Sequence, residues 1–309
     1  MGGVSTIVEA PRSRGASDRR TFLWRAALAA AGMLAGSQSW LRAEPPKRLF
    51  SGIGITARLE RAAELKAAGA DYLVETVERL VMPDRPEADF EDRLRLVTAS
   101  PLPVRGCNSF LRHPRLRCTG PDADHEAVLA FAETAFRRLA RAGGTFIGFG
   151  SNTSRQVPDG WPRERADEQF VSLLRRMGPL AAKHGIVVAV EQLRTSECNY
   201  LNRLGEVVRV VDAVDHPAIR VLADLFHMAV MGDTPGDLSA AMPWVALVEI
   251  AEKEKRTVPG VAGDDFRPYF AALARGGYSG PINIEADGTP GQLKNAFETI
   301  RRQAADVAG

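Results

Sequence analysis

Two hydrophobic patterns alternate along the chain. Short apolar runs rich in β-branched residues recur at Phe50–Ile55, Asp71–Glu75, Pro103–Cys107, Thr145–Phe149, Ile186–Val190, Ile219–Ala223, Val245–Ile250 and Pro281–Ile284. Runs of this length and make-up read as buried parallel strands. Between them lie longer stretches whose apolar residues recur every three or four positions, the period of a helix with one buried face. In Glu126–Ala142, for example, Val128, Leu129, Phe131, Ala132, Ala135, Phe136 and Leu139 cluster on one side. A glycine precedes several of the next strands, at Ala68-Gly69-Ala70, Arg141-Ala142-Gly143-Gly144, His184-Gly185 and Arg275-Gly276-Gly277, where helices commonly stop. The weakest helical stretch is the sixth, Asp237–Met242, bounded by Pro235 and Pro243. Eight strand-then-helix units predict an α/β fold, a single (β/α)8 TIM barrel. A doubly wound sheet would place a glycine-rich phosphate loop after its first strand. Ser51-Gly52-Ile53-Gly54 instead lies within the first run and lacks the third glycine.

Four acidic residues sit where these runs end: Glu191, Asp224, Glu249 (inside Val245–Ile250) and Glu285. In such a barrel the C-terminal strand ends converge on the active site. Four carboxylates brought together repel one another unless a cation sits among them. Helix capping alone gives no reason for all four to favour strand ends.

Composition adds bounds. The chain has 309 residues, 45% hydrophobic and 25% charged, with a net charge of +2, which suits one large domain. Residues 1–43 hold six arginines against Glu9 and Asp18, net +4, so residues 44–309 carry about −2 and offer no electrostatic footprint for nucleic acid. Asp18-Arg19-Arg20-Thr21-Phe22-Leu23 resembles a twin-arginine motif. It precedes a modest apolar segment, Ala26 to Gly36, too short to span a membrane, and a cleavage-like Leu41-Arg42-Ala43. The expectation is an export signal over residues 1–43, read by the twin-arginine machinery, and a periplasmic catalytic domain over 44–309 with no stable membrane insertion. Cys107, Cys118 and Cys198 form no CxxC pair, so one disulfide or three free thiols both stay open.

Several local patterns, in this order, resemble the sugar phosphate isomerase/epimerase family of xylose isomerase-like TIM barrels, the ketose 3-epimerase and hydroxypyruvate isomerase-like group. They are Gly106-Cys107-Asn108-Ser109-Phe110-Leu111 with Thr119-Gly120-Pro121, then Phe149-Gly150-Ser151 with Arg155 and Pro158-Asp159-Gly160. Next come Glu191-Gln192-Leu193-Arg194 through Glu197 and Asn199, and Asp224-Leu225-Phe226-His227-Met228. Arg256 through Pro259-Gly260 and Tyr278-Ser279-Gly280 leading to Glu285 complete the set. The resemblance covers nearly all of residues 48–305.

What it implies is one divalent metal held by Glu191, Asp224, the seventh-strand residue and Glu285, with Glu191 and Glu285 also moving protons. His227, Arg256 and Glu197 match substrate-binding positions. One departure stands out: the seventh strand of the group usually carries His, or Gln in some branches, where this chain has Glu249. An all-carboxylate set favours a hard cation, Mn(II) first and Mg(II) or Co(II) as alternatives, over Zn(II). A slipped register would instead offer Glu252 or Glu254. The expected reaction is isomerisation or epimerisation of a carbohydrate beside a polarised carbonyl. A lyase or dehydratase acting on a keto-sugar, keto-inositol or dehydroshikimate-like substrate is the alternative. A non-catalytic sugar-binding protein is a third reading. Homo-oligomerisation stays open. His184 and His216 read as structural, as do His113 and His125, and Trp161 reads equally as a lid or as a surface-packed ring.

Overall fold

A computed structural model describes residues 48–113 and 115–307, so the export segment expected over residues 1–43 lies outside the described residues. Eight parallel strands close in sequence order into a barrel. They are β1 (Ile53–Thr56), β2 (Tyr72–Thr76), β3 (Val104–Asn108), β4 (Phe146–Phe149), β5 (Val187–Glu191), β6 (Ile219–Asp224), β7 (Val245–Ile250) and β8 (Ile282–Ile284). Around them run α1 (Ala62–Ala68), α2 (Val77–Leu80), α3 (Glu87–Thr98), α4 (His125–Arg141), α5 (Asn152–Arg155), α6 (Arg163–Lys183), α7 (Leu204–Val214), α8 (Leu225–Met231), α9 (Pro235–Ala241), α10 (Arg267–Arg275) and α11 (Pro290–Ala305).

Every predicted strand is present: β2, β3 and β5 are displaced by one residue, β4, β6 and β8 have one end moved by one, and β7 keeps its bounds. The first begins three residues later than expected, because the backbone bends at residues 49–51, where Ser51 N–H donates to the Gly280 carbonyl at 3.0 Å. The helix expected over 126–142 runs from His125 to Arg141, started by the Asp124 side chain, which accepts from Ala127 N–H at 3.0 Å. The doubtful sixth helix exists as α9. Thr234 and Asp237 cap it reciprocally, a local device that compensates for its seven-residue length. Gly69 ends α1 at φ 114°, a conformation that Cβ-bearing residues rarely adopt.

The strands separate two cores by parity. Leu73, Ile147, Val188, Val190, Val221, Ala223, Val248, Ile250, Ile282 and Ile284 pack outward against the helices. Tyr72, Val74, Phe146, Ala189, Leu222 and Leu247, with Val187, fill the barrel interior. At its N-terminal end the Tyr72 and Phe146 rings meet edge to face, centroids 6.4 Å apart, and Tyr72 Oη donates to the Ile282 carbonyl at 2.8 Å. A Cβ at Gly54 would collide with the Tyr72 ring, so this layer needs a glycine there. Counting two residues on from Ala189, Leu222 and Leu247 reaches Glu191, Asp224 and Glu249. The carboxylates are therefore the next inward layer of the same strands. Cys107, Cys118 and Cys198 are buried free thiols. Among the described residues no helix is long and apolar enough to cross a membrane.

Candidate active site and metal centre

The C-terminal mouth of the barrel gathers all seven residues singled out from the sequence. Glu191, Asp224, Glu249 and Glu285 each bring one carboxylate oxygen into a group whose members lie within 4.8 Å of one another. Their strands are neighbours in the closed sheet, with Asp224 paired in register to Glu249 and Glu249 to Asn283. Glu249 is fully inside the cluster and the register does not slip. Glu252 lies outside it: its buried carboxylate folds back to accept from the backbone N–H groups of Gly260 (2.8 Å), Val261 (3.1 Å), Ala262, Gly263 (2.9 Å) and Asp264 (3.2 Å). Glu254 is exposed beside Lys255.

Each carboxylate is held differently. Asp224 opens α8, and its Oδ1 accepts from Phe226 N–H (2.7 Å) and His227 N–H (3.2 Å), which leaves Oδ2 facing the cluster. Glu285 accepts from Asn108 Nδ2 at 2.7 Å on one oxygen and from Arg256 Nη2 on the other. Arg256 Nη2 also reaches Asp224 Oδ2 at 3.3 Å. Glu249 Oε1 accepts from Asn283 Nδ2 at 2.9 Å, while its buried Oε2 has no partner. Glu191 lies against Gly150, where any Cβ would run into its carboxylate.

The electrostatics follow from this crowding. Burial, and then the Glu285, Glu249 and Asp224 carboxylates, push the proton affinity of Glu191 well above the usual range. Burial, and then Glu285 and Asp224, do the same to Glu249. Glu285 is pushed up to about 7 by burial and Asp224, against the opposing pull of Arg256. His227 is fully buried, and burial holds its pKa below the ordinary value despite Asp224. Its Nδ1 accepts from Arg194 N–H at 3.2 Å, which places the ring proton on Nε2. That Nε2 has no hydrogen-bond partner and faces Glu191 (3.5 Å), Asp224 (3.6 Å) and Glu197 (3.9 Å). Arg256 lies 4.6 Å over the Phe226 ring, held by a backbone that turns through left-handed φ at Lys255 and Arg256. Glu197 pairs with Arg194 at 2.7 Å and stands 3.6 Å from Arg256. A cavity of about 130 Å³ opens on this group, walled by Asn108, Glu191, Glu197, His227, Arg256 and Glu285 among others.

The residues fit a hard divalent cation. Oxygens about 2.0–2.6 Å from one ion lie no more than about 5 Å apart, a span that the four carboxylate oxygens satisfy. The unpartnered Glu249 oxygen is the kind of orphan that such an ion would satisfy. Two contributors were undervalued in the sequence. Asn108 and Asn283 each orient a cluster carboxylate, yet an asparagine in a strand carries no periodic signal of its own. Arg155 is fully buried and donates to the Glu191 carbonyl at 2.9 Å, so it supports the end of β5 from within the core. Trp161 packs part-buried on the core under Arg165, which favours the packed reading over the lid. Away from the cluster, His184 bonds Glu133, His125 Nε2 bonds the Cys118 carbonyl at 3.0 Å, and His216 packs on Gly178.

A family model described as the xylose isomerase-like TIM barrel matches residues 59–303. The chain belongs to this family. Over 133 residues it is 29% identical to a 3-dehydroshikimate dehydratase of Pseudomonas putida, covering 38% of this chain and 21% of that one. Over 139 residues it is 26% identical to a putative hydroxypyruvate isomerase of Mus musculus, covering 42% and 50%. The matches thus span half or less of those relatives' length. Among solved structures, D-psicose 3-epimerase from Clostridium cellulolyticum superposes with a TM-score of 0.66 at 20% identity, over 83% of this chain and 96% of that one. This last likeness establishes the shared fold.

Proposed function

We propose that the chain is a divalent-metal-dependent isomerase or epimerase of a sugar or keto-sugar, with Glu191 and Glu285 as its proton carriers. The observation that supports this is the layer of four inward carboxylates beside a small polar cavity. When bound, the cation, Mn(II) first, polarises a carbonyl and acidifies the neighbouring C–H. Asp224 and Glu249 complete its ligand set. Glu285, held between Asn108 Nδ2 and Arg256 Nη2 on the cavity wall, is placed both to take and to return a proton. Glu191 lines the same cavity from β5, three strands away. One carboxylate removing and the other returning the proton inverts a carbinol centre; one carboxylate doing both interconverts aldose and ketose. Neutral His227 offers its Nε2 proton to a substrate oxygen, and Arg256 and Glu197 fix hydroxyl groups at the mouth.

A dehydratase is the second reading, supported by the 29% identity to a 3-dehydroshikimate dehydratase. It shares the first proton abstraction and differs in expelling a β-hydroxyl. The test is to incubate the Mn(II)-loaded chain with ketoses and keto-sugars in heavy water. Deuterium gained with the skeleton intact supports the isomerase, and loss of water supports the dehydratase. A metal-loaded chain that exchanges no substrate hydrogen would leave the sugar-binding reading in front. Export of residues 44–309 to the periplasm belongs to the same proposal, and recovery there should be lost in an Arg19→Lys, Arg20→Lys variant.

A further inference from the structure

Beside the carboxylate cavity lies a second, larger chamber of about 530 Å³. The two share a wall made of Arg256 and Glu285. Three further arginines face this chamber from separate stretches of sequence: Arg58 after β1, Arg61 at the start of α1 and Arg79 in α2. Two are paired with carboxylates. Arg61 is taken up by Glu64 (2.9 Å) and by Asp287 (2.8 Å), which lines the chamber too, whereas Arg79 offers only its Nε to the buried Glu75 (2.8 Å). The two Nη groups of Arg79, and the whole Arg58 guanidinium, have no protein partner among the described residues. Because Glu75 is fully buried and also bonds Leu59 N–H, Arg79 is tethered in place with its outer edge turned to the chamber.

A guanidinium presents a planar fork that matches a carboxylate or a phosphate, and two of them converging bind such a group with defined geometry. A substrate whose reacting carbon lies beside Glu285 can extend only a short way before reaching these forks. We infer that the substrate carries an anionic oxygen group, a carboxylate or a phosphate monoester, which Arg58 and Arg79 bind in the chamber next to Glu285. For the reacting end of that molecule this rests on the isomerase reading above. The anionic end stands on the chamber itself.

The experiment titrates the metal-free full chain with inorganic phosphate, glucuronate and, as the neutral counterpart, glucose. The metal-free form is used because a bound cation would itself attract anions. At least one anion should bind about tenfold or more tightly than glucose, and an Arg58→Ala, Arg79→Ala variant should lose that advantage. Arg58 is exposed and leaves no partner behind, so Arg58→Ala alone should keep the wild-type unfolding midpoint and Mn(II) affinity while losing part of that advantage; removing Arg79 takes a partner from the buried Glu75 and lowers the midpoint of the double variant, whose Mn(II) affinity is the control that it is folded. Preference for phosphate points to a phosphate ester and preference for glucuronate to a uronate-like acid; both support the inference. Anion binding no tighter than glucose, or an advantage that survives in the variant, overturns it. Should Mn(II) fail to bind while the anion result holds, the isomerase reading falls and this one stands.

Discussion

The barrel interior holds two successive layers with opposite chemistry, and on β5, β6 and β7 the two lie just two residues apart. In the lower one Tyr72, Phe146, Leu222 and Leu247 interlock, and the single hydroxyl finds a carbonyl. In the upper one Glu191, Asp224, Glu249 and Glu285 crowd together, with Glu249 Oε2 and His227 Nε2 unpartnered. The lower layer gains from burial and close packing. The upper one loses by it, since buried carboxylates that repel one another raise the energy of the folded chain. Nothing in local strand geometry demands this cost, because the same positions could have continued the apolar layer. Its position at the C-terminal face, where TIM-barrel enzymes hold their active sites, points to function.

Substitutions can sharpen that contrast. Glu191→Gln should cut substrate hydrogen exchange by about 10²–10⁴-fold, the usual worth of a positioned proton carrier. Its thermal midpoint without metal should stay level or rise, because one repelling carboxylate is gone. Phe146→Ala should do the reverse: it should cost about 3–5 kcal/mol in denaturant unfolding while leaving Mn(II) affinity close to wild type.

The pH dependence separates the layers next. Glu191, Glu249 and Glu285 all have folded-state proton affinities raised above their unfolded values; for Glu285 the folded chain binds more protons between the unfolded value near 4.5 and its folded value of about 7, and Glu191 and Glu249 act in the same direction. Stability of the metal-free chain should therefore fall as pH rises through this window, by roughly 1–3 kcal/mol. Saturating Mn(II) should reverse the trend, because the ion binds the deprotonated set. A metal-free stability that instead climbs from pH 5 to 7 would show that the cluster is not strained. The smallest effect concerns selectivity. Glu249→His should shift the Zn(II)-to-Mn(II) affinity ratio toward zinc by about tenfold, since imidazole suits the softer ion.

Much of this was legible in the sequence, for particular reasons. Eight β-branched runs in a chain of this length leave few architectures, and β7 appears at its expected bounds. Glu249 could be chosen over Glu252 because inward positions alternate: Glu249 keeps the parity of Leu247, whereas Glu252 falls beyond the strand and anchors a loop. What stayed hidden depended on side chains meeting across the barrel. Asn108 and Asn283 look like ordinary strand-end polar residues until their strands close around Glu285 and Glu249. Likewise Arg58, Arg61 and Arg79 form no cluster in sequence, and no basic run announces them. The bend at residues 49–51 escaped because Phe50 continues the apolar run while its backbone has already left the sheet.

The central claim is that the upper layer is a cation site, and a calorimetric titration of chelator-treated chain with Mn(II) tests it most directly. One ion per chain is predicted, with binding weakened severely in Glu191→Gln and in Asp224→Asn, whose oxygens belong to the cluster. A wild-type chain that takes up no Mn(II), Mg(II) or Co(II), or one whose binding is indifferent to both substitutions, would contradict it.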